Sequence, residues 1–344
     1  MIRAGDFPVF FHRRLRRSHD ARDAYDFHFH IGRTLPVAAL RRAWGGCRVR
    51  RAVRAARRRD IRRRALPYAA RVPGIRARRR RVQRPGVLRA QPSPDRYYGV
   101  NDVAAHDCPT EETKETTKEG ELVKVDIGVH LDGWIADNAM TVEVGSSQKY
   151  YDLIRASQNA LKAAIKLVRP GCPLWQLGEA QYSEAEALGF TTVKNLCGHT
   201  LEQYKIHAGV SVPTFNNKDK TELHEGWQIA IEPFVTNGQG LIKEKGEAKV
   251  FMAKINAVGR SPYARRVAEF VKPRYGLPFT IRDLTRNLGI GPALLGLREL
   301  QKSGIVRAYP PLAEVSGGIV AQFEHSMIVN DKPVVYTRQE EEEW

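Results

Sequence analysis

Residues 121–145 read ELVKVDIGVHLDGWIADNAMTVEVG, with apolar and polar residues alternating on both sides of Asp132-Gly133. Asp-Gly between two alternating runs is a strong signal for a two-residue β-hairpin. With that turn, Gly128 lies opposite Asp137 on the neighbouring strand. The stretch therefore predicts an antiparallel strand pair whose register can be worked out residue by residue.

Two carboxylates share one face of this predicted hairpin. Asp126 lies two residues from Gly128, so its side chain points to the same face as that of Asp137. Like charges held this close repel unless a cation lies between them, and carboxylate oxygens suit divalent ions. A solvated strand face is the alternative, because Lys124 and His130 have the same parity as Asp126. The hairpin alone slightly favours that alternative.

Two glutamates occur in similar settings. Glu232 interrupts the apolar run IAIEPFV, and Glu324 lies in IVAQFEHSMIV. A glutamate in an apolar strand costs free energy unless it is paired or metal-bound. For Glu324 an ordinary wet face is the alternative, since Gln322 and Ser326 share its face.

Three histidines are further candidates: His106, His199 and His207, in AAHDCP, NLCGHT and KIHAGV. Each alone is more often structural than a ligand. Two aspartates, one histidine and two glutamates would together form a mixed oxygen and nitrogen shell for two divalent ions. No nucleophile elbow, P-loop or GxGxxG motif competes with this set. The residues themselves favour a metal-assisted hydrolase only weakly, because spacing in sequence cannot prove convergence in space.

Other patterned segments mix helices and strands. Helical spacing predicts helices over 150–168, 173–189 and 262–304, and strands are predicted around 228–235 and 318–329. Because these elements alternate without a regular βαβ period, the sequence predicts an α+β fold.

The net charge of +18 is unevenly distributed along the 344 residues. Residues 1–100 contain 28 Arg, no Lys, 6 Asp and no Glu, a net charge of +22, whereas residues 101–344 have a net charge of −4. The basic balance that is typical of nucleic-acid-binding proteins therefore belongs to the first hundred residues alone. The remainder has the slightly acidic balance of an ordinary enzyme domain.

The composition favours a cytoplasmic protein. No run approaches the roughly 18 consecutive apolar residues of a membrane span, and the N-terminus lacks the apolar core of a secretory signal. The four cysteines form no CxxC pair and are too sparse for a disulfide framework. We therefore expect reduced thiols and no membrane association.

Five segments, in this order, resemble motifs of the pita-bread metallopeptidase family (peptidase M24), and within it the archaeal-like type 2 methionine aminopeptidases. They are NDVAAH (101–106), KVDIGVHLDGWIADNAMTV (124–142), NLCGHTLEQYKIHAGVSVP (195–213), IAIEPF (229–234) and GIVRAYPPLAEVSGGIVAQFEHSMIV (304–329). The combination is highly specific, unlike any single segment. The resemblance implies a pita-bread fold and removal of the initiator methionine from nascent proteins by a water activated between two metal ions.

The resemblance also assigns metal ligands by position. It makes the ligands Asp126, Asp137, His199, Glu232 and Glu324. Asp137 and Glu324 would bridge two divalent ions, whose identity stays open among Co, Mn, Fe, Zn and Ni. The implied partners are the N-termini of nascent polypeptides, with the ribosome as a further candidate, and the chain is expected to be a monomer.

Catalytic and substrate-binding roles follow from the same resemblance. Glu232 would accept and shuttle the proton of the activated water. His207 would polarise the substrate carbonyl, and His106 would contact the peptide near the scissile nitrogen. Ile206 and Tyr309 would line the pocket for the methionine side chain.

The 92 positions between Glu232 and Glu324 leave room for a helical insertion of about sixty residues. Residues 256–311 resemble the winged-helix-like insertion of type 2 enzymes, which type 1 enzymes and prolidases lack. The predicted organisation is an anomalous Arg-rich segment 1–98, a catalytic domain formed by 99–255 and 312–344, and the insertion 256–311. The winged-helix resemblance does not by itself imply DNA binding.

Two other classes of protein remain open. A catalytically inactive pita-bread binding protein of the proliferation-associated kind would keep the fold without the ligand set, but all five ligand types are present here. An RNA-binding or ribosome-binding protein would depend on the Arg-rich segment, which has few interleaved aromatic residues and no recognisable motif.

The sequence departs from the family pattern on both sides of His106. Asp107-Cys108 replaces a usual Tyr-Thr pair, and Pro94-Asp95 stands where the family has a Phe-Pro-containing segment. The resemblance therefore leaves one wall of the methionine pocket undefined.

The Arg-rich segment 1–98 is predicted to come from a reading-frame error in the gene. It contains no Lys, whereas residues 101–344 contain 17, a density of about seven per hundred residues. Codons GAG and AAG, read one base late in a row, become AGG and AGA, which encode Arg. A Lys- and Glu-rich helix would thus become an Arg run. A genuine disordered polybasic extension is the alternative.

Overall fold

The computed structural model describes residues 2–3, 9–11, 29–31, 96–114 and 116–338. The predicted reading-frame error falls on residues 1–98, which lie almost entirely outside the described residues. Within that segment the structure describes three short strands, β1 (Ile2–Arg3), β2 (Val9–Phe11) and β3 (Phe29–Ile31).

The strands that follow are β4 (Arg96–Val100), β5 (Val103–Ala105), β6 (Thr116–Thr117), β7 (Leu122–Leu131), β8 (Trp134–Glu143), β9 (Thr191–Thr192), β10 (Gly198–Leu201), β11 (Ser211–Val212), β12 (Gln228–Ile231), β13 (Phe234–Thr236), β14 (Ile242–Glu244), β15 (Val250–Ala253), β16 (Phe279–Thr280), β17 (Val306–Tyr309), β18 (Leu312–Glu314), β19 (Val320–Gln322), β20 (His325–Ile328) and β21 (Val334–Val335). The helices are α1 (Tyr151–Leu167), α2 (Leu174–Ala187), α3 (Pro262–Val271), α4 (Ile281–Leu288) and α5 (Ile290–Lys302), with a 3-10 helix at Lys272–Arg274. This mixture of antiparallel strand pairs and helices confirms the predicted α+β class.

The β7–β8 hairpin has the predicted register, with Gly128 opposite Asp137. Its turn residues Asp132 and Gly133 have φ angles of 52° and 83°, as a two-residue turn with positive φ at both positions requires. The ring of Tyr204 covers this turn so closely that a Cβ on Gly133 would lie 2.4 Å from it. The turn that sets the register is therefore also packed in place.

Two antiparallel sheets meet beside this hairpin. One has the strand order β11-β10-β12-β20-β21 and the other β19-β13-β9. The chain passes between them at Glu232-Pro233, after β12, and at Phe323-Glu324, after β19. Because β12 pairs with β20 and β13 with β19, the two crossings lie side by side.

The continuous strands predicted over 228–235 and 318–329 are therefore wrong in one respect. Each is interrupted, and the interruption falls at Glu232 in the first strand and at Glu324 in the second. Pro233 has no N–H to donate to a ladder, which fits a break at that point. Both glutamates are consequently held at the junction between two sheets.

Helices α1 and α2 pack against β12 and β20. Their apolar residues share one buried cluster with Ile229, Ile231 and Met327 of those strands. α1 ends just before Arg169-Pro170, because the residue that precedes a proline is disfavoured in helical geometry. Among the described residues, no helix is both long and apolar enough to cross a lipid bilayer.

The segment 262–304 contains three helices and not one helical run. Tyr275 and Gly276 have φ angles of 51° and 92°, and Gly289 has 82°, so the right-handed helix cannot continue through them. α3, α4 and α5 share an apolar cluster with Phe251 of β15 and Val306 of β17. β15, β16 and β17 form their own three-stranded sheet. The domain boundaries at 98, 255 and 311 stay a prediction.

Candidate metal centre

The hairpin brings Asp126 and Asp137 to one wall of a cavity. Lys124, which shares their face, is only 1% exposed and donates from Nζ to the carbonyl oxygens of Asn101 at 2.8 Å and Val320 at 3.0 Å. Burial lowers the pKa of Lys124 to about 7. The alternative of a solvated strand face is therefore wrong for this part of β7.

Asp137 and Glu324 are fixed by contacts between β8 and the chain around β20. The backbone N–H of Asp137 donates to Oγ of Ser326 at 3.0 Å, and that hydroxyl donates to the Asp137 carbonyl oxygen at 2.9 Å. The backbone N–H of Glu324 donates to the carbonyl oxygen of Ala139 at 2.9 Å, and the Asn138 amide donates to the carbonyl oxygen of Glu324. Hydrogen bonds between β8 and the segment around β20 thus set the position of both carboxylates.

His199 approaches these carboxylates from β10. It pairs with Ala230 of β12, and the approach is close because Gly198 has no side chain: a Cβ there would lie 2.3 Å from the Ala230 carbonyl oxygen. Nε2 of His199 lies 3.4 Å from Oε1 of Glu232. Donor atoms of Asp137, His199 and Glu324 lie within 4.8 Å of one another.

Gln322 is a site residue that the sequence reasoning missed. Its Nε2 donates to Oδ2 of Asp126 at 3.3 Å and to Oε2 of Glu232 at 3.4 Å, so it joins two of the predicted ligands. Gln322 and Ser326 are 0% exposed and Glu324 is 1% exposed, which contradicts the wet-face alternative. The signal was present in the sequence, because Gln322 shares the face of Glu324.

A positive charge in the site would stabilise its buried carboxylates in their ionised form. Burial, and then the neighbouring carboxylates, raise the pKa of Asp126, Glu232 and Glu324 well above the usual range, and burial raises the pKa of Asp137 to about 6. Burial and then His207 lower the pKa of His199 to about 3, so its imidazole is neutral at pH 7.

Several buried atoms that could bind a metal ion also have no hydrogen-bond partner among the described residues. They are both carboxylate oxygens of Glu324 and Nδ1 of His199. Crowded carboxylates beside a neutral imidazole, with acceptor atoms left unpaired, match the ligand chemistry of a divalent ion. The residues present therefore fit a metal site.

A cavity of about 430 Å³ lies in front of these ligands, within the size range of small-molecule sites. Its lining includes eight of the nine predicted site residues: His106, Asp126, Asp137, His199, Ile206, His207, Glu232 and Tyr309. Glu324 does not line the cavity but lies beside Asp137 and His199. His130 and Cys197, which the sequence did not single out for this site, also line it.

The two other predicted histidines stand on the cavity wall with distinct partners. The ring of His106 meets that of Tyr309 edge-on at a centroid distance of 5.6 Å, and the rings of His199 and His207 meet edge-on at 4.6 Å. Burial and then His207 lower the pKa of His106 to about 4. Desolvation inside the cavity, and then the charge of Arg307, lower the pKa of His207. The ring of His106 is therefore neutral at pH 7, and the lowered pKa of His207 favours its neutral form. A neutral imidazole can donate one hydrogen bond and accept another.

One departure from the family pattern has a structural role. Asp107, which follows His106, accepts a hydrogen bond from Nζ of Lys249 at 2.6 Å and another from the backbone N–H of Cys108 at 2.9 Å. Cys108 itself is fully buried. The replaced pair thus ties the His106 segment to the chain just before β15. The Pro94-Asp95 departure falls outside the described residues.

Comparisons with known proteins agree with this geometry. Residues 77–331 match the sequence profile of "Metallopeptidase family M24", and the match begins inside the Arg-rich segment, earlier than the boundary predicted at residue 98. Proteins named methionine aminopeptidase are similar: that of Thermococcus onnurineus is 42% identical over 240 residues, 69% of this chain and 81% of the relative. That of Pyrococcus abyssi is 40% identical over 252 residues, 73% and 85% of the two chains. The structure of a thermophilic Arx1 shares the fold, with a TM-score of 0.64, 15% identity and coverage of 74% and 78%.

Proposed function

This chain belongs to metallopeptidase family M24, and from that premise we propose that it is a type 2 methionine aminopeptidase, which removes the initiator methionine from nascent polypeptides. The observation that carries the proposal is the convergence of Asp137, His199 and Glu324, whose donor atoms lie within 4.8 Å of one another beside a cavity. The archaeal relatives named methionine aminopeptidase support the choice of substrate.

Five side chains would hold two divalent ions: Asp126, Asp137, His199, Glu232 and Glu324. Asp137 and Glu324, which hydrogen bonds hold between the hairpin and the sheet junction, would be the ligands shared by both ions. When bound, divalent ions lower the pKa of a coordinated water and offset the charge of the carboxylates.

The reaction needs a proton acceptor, and Glu232 is the best placed group. Its carboxylate lies at the cavity wall, 3.4 Å from both His199 and the amide of Gln322. Burial and the nearby carboxylates raise its pKa, so it can take a proton from the attacking water and give it to the leaving amine. Gln322 orients this carboxylate by its hydrogen bond.

Two neutral histidines would bind the substrate peptide. His207 donates a hydrogen bond to the carbonyl oxygen and steadies the negative charge that develops there. His106 contacts the peptide near the scissile nitrogen, held in place by Tyr309. Ile206 and Tyr309, which line the cavity, would form part of the pocket for the methionine side chain.

Assignment to type 2 is supported by the chain between Glu232 and Glu324. Helices α3, α4 and α5 with the β15–β17 sheet form a compact unit with its own apolar cluster. This unit supports the proposed winged-helix-like insertion of type 2 enzymes, and it begins with β15, before the boundary predicted at residue 256. Val250, Met252 and Tyr309 from its sheet also reach the cavity.

Two further expectations belong to this proposal. The enzyme acts in the cytoplasm as a monomer on N-termini that leave the ribosome. The alternative of a metal-free pita-bread binding protein would be expected to have a broken ligand set, whereas all five proposed ligands are present, four of them on the wall of one cavity and Glu324 beside Asp137 and His199.

A panel of short peptides tests the proposed function. The metal-loaded protein is incubated with Met-Gly, Met-Ala and Met-Leu peptides, with a Leu-Gly peptide and with acetyl-Met-Gly. Release of free methionine from the first two only is the expected result. Equal cleavage of the Leu-Gly or the acetylated peptide would point to a different peptidase.

A further inference from the structure

Arg307 extends the cavity wall outward. On the β15–β17 pair, Val250 faces Tyr309 and Met252 faces Arg307. Paired residues, and residues two apart on one strand, share a face of the sheet. Val250, Met252 and Tyr309 all line the cavity. Arg307 therefore lies on the same face, one step further toward solvent, and it is exposed.

The guanidinium group of Arg307 lies against the ring of Tyr309, a residue of the cavity wall. Its central carbon lies 5.1 Å from the centroid of the Tyr309 ring, and Tyr309 in turn contacts His106. Beyond the effect of burial, the positive charge of Arg307 also lowers the pKa of His207. A guanidinium that stacks on a ring keeps its N–H edge free for a hydrogen-bond acceptor.

Arg307 is also free of a local counter-ion. Among the described residues, no carboxylate lies within ion-pair distance of it. Arg274 is a second arginine near the cavity, and burial and then its charge lower the pKa of His130 at the cavity wall. Unlike Arg307, it has an acidic partner, because Asp283 lies 3.5 Å from its guanidinium group. Among the residues that the structure describes, Arg307 thus offers an exposed positive charge beside the cavity wall.

We propose that Arg307 is a specificity-determining residue that binds a carboxylate at the third residue of the substrate. The inference rests on the proposed function. With the first peptide bond at the metal ligands, each further residue moves the chain outward by about 3.3–3.6 Å, so the third residue reaches the mouth. Arginine binds carboxylates through two parallel N–H bonds. That carboxylate is an Asp or Glu side chain in a long substrate, or the C-terminal carboxylate of a tripeptide.

Isosteric peptides provide the test. The ratio of kcat/KM for Met-Gly-Asp-Ser-amide over Met-Gly-Asn-Ser-amide is expected to be about two to five, the range of an exposed ion pair, and to shrink with added salt. Arg307→Gln should bring the ratio to about one, whereas Arg307→Lys should keep most of it. Arg298→Gln is the matched control, because Arg298 is an exposed arginine of α5, a helix from which no residue lines the cavity, whereas Arg307 shares its strand with the lining residue Tyr309; the ratio for Arg298→Gln should equal that of the unchanged protein.

A second arm separates the two sources of carboxylate. Met-Gly-Ala with a free C-terminus is compared with its amide, and the same loss in Arg307→Gln would support recognition of the terminal carboxylate. If Arg307→Gln lowers kcat/KM equally for both members of each pair, Arg307 only supports Tyr309 and the inference is overturned. If the neutral peptides release no methionine at all, the proposed function itself fails, which is a distinct outcome.

Discussion

Gly128 leaves open the space beside Asp137, its direct partner across the β7–β8 hairpin. A Cβ on Gly128 would lie 3.5 Å from Oδ1 of that carboxylate. This is an ordinary van der Waals distance, so a methyl group would fit there. It would, however, occupy the space in which Asp126 and Asp137, the proposed metal ligands of the hairpin, face the cavity.

Gly128→Ala should therefore fold normally and bind divalent metal more weakly, by about tenfold, as changes next to metal ligands commonly do. Titration calorimetry with Mn²⁺, together with the metal dependence of methionine release, measures the change. Gly291→Ala in α5 is the control, since nothing lies within 4 Å of its Cβ position. Equal metal affinity in Gly128→Ala and the unchanged protein would show that the space is not used.

His207→Ala should retain its metal and lose turnover. The ring lies 4.6 Å from that of His199 but is proposed to contact the substrate carbonyl and no ion. Loss of one donor to a developing oxyanion costs about 10²- to 10³-fold in kcat. Metal analysis of the purified variant accompanies the kinetics. Loss of both ions from His207→Ala would mean that its role is misassigned.

The metal-free Glu324→Gln variant should gain stability relative to the metal-free unchanged protein as the pH rises. Burial and the neighbouring carboxylates raise the pKa of Glu324 well above its usual range in the folded state. Such a group binds more protons when folded, so its contribution is present at low pH and is lost as the pH rises through the folded-state pKa. Lys124 and the histidines, whose pKa values burial lowers, act in the opposite direction, and the comparison cancels their contribution because both proteins contain them.

Thermal unfolding in EDTA from about pH 5 to about pH 8.5, above the ordinary pKa of a glutamate, measures the Tm of both proteins. The Tm of Glu324→Gln minus that of the unchanged protein should rise with pH. An excess of divalent metal should raise the Tm of the unchanged protein more than that of the variant, which lacks one proposed ligand. A Tm difference that falls with pH in EDTA would contradict the direction of the Glu324 pKa shift.

The reading-frame prediction for residues 1–98 is checked on the gene. Translation of the other two frames upstream of Val100 should yield an amphipathic Lys- and Glu-rich helix and a Phe-Pro segment before His106. The chain with the repaired frame should then express better than the chain with the present sequence. Residues 1–98 of the present sequence should be sensitive to proteases. If neither frame yields these features, the reading-frame prediction is wrong.

Part of the site could be predicted from the sequence, because the turn residues and the alternation of side chains determine the register of the hairpin. The Asp-Gly turn alone places Gly128 opposite Asp137, and this register is the one observed. The class of fold also followed from the mixed periodicities. What brought His199 and the two glutamates into the same prediction was the family resemblance, because convergence of distant segments is not a local property.

The misses have one physical cause, which is tertiary burial. Lys124 and Gln322 were taken as members of wet faces because polar side chains usually are, yet both are buried and hydrogen-bonded. The breaks at Glu232 and Glu324 depend on which sheet each half-strand joins. No strand-length pattern contains that information.

The most direct test of the five-residue metal centre compares the unchanged protein with Asp137→Asn and Glu324→Gln in one experiment. Bound metal per chain and the rate of methionine release from a Met-Gly peptide are measured on samples that circular dichroism shows to be folded. We expect the unchanged protein to bind two ions and to be inactive in EDTA, and each variant to lose at least one ion and most turnover, since each change removes a shared ligand charge. Undiminished methionine release by either variant would contradict the two-metal centre.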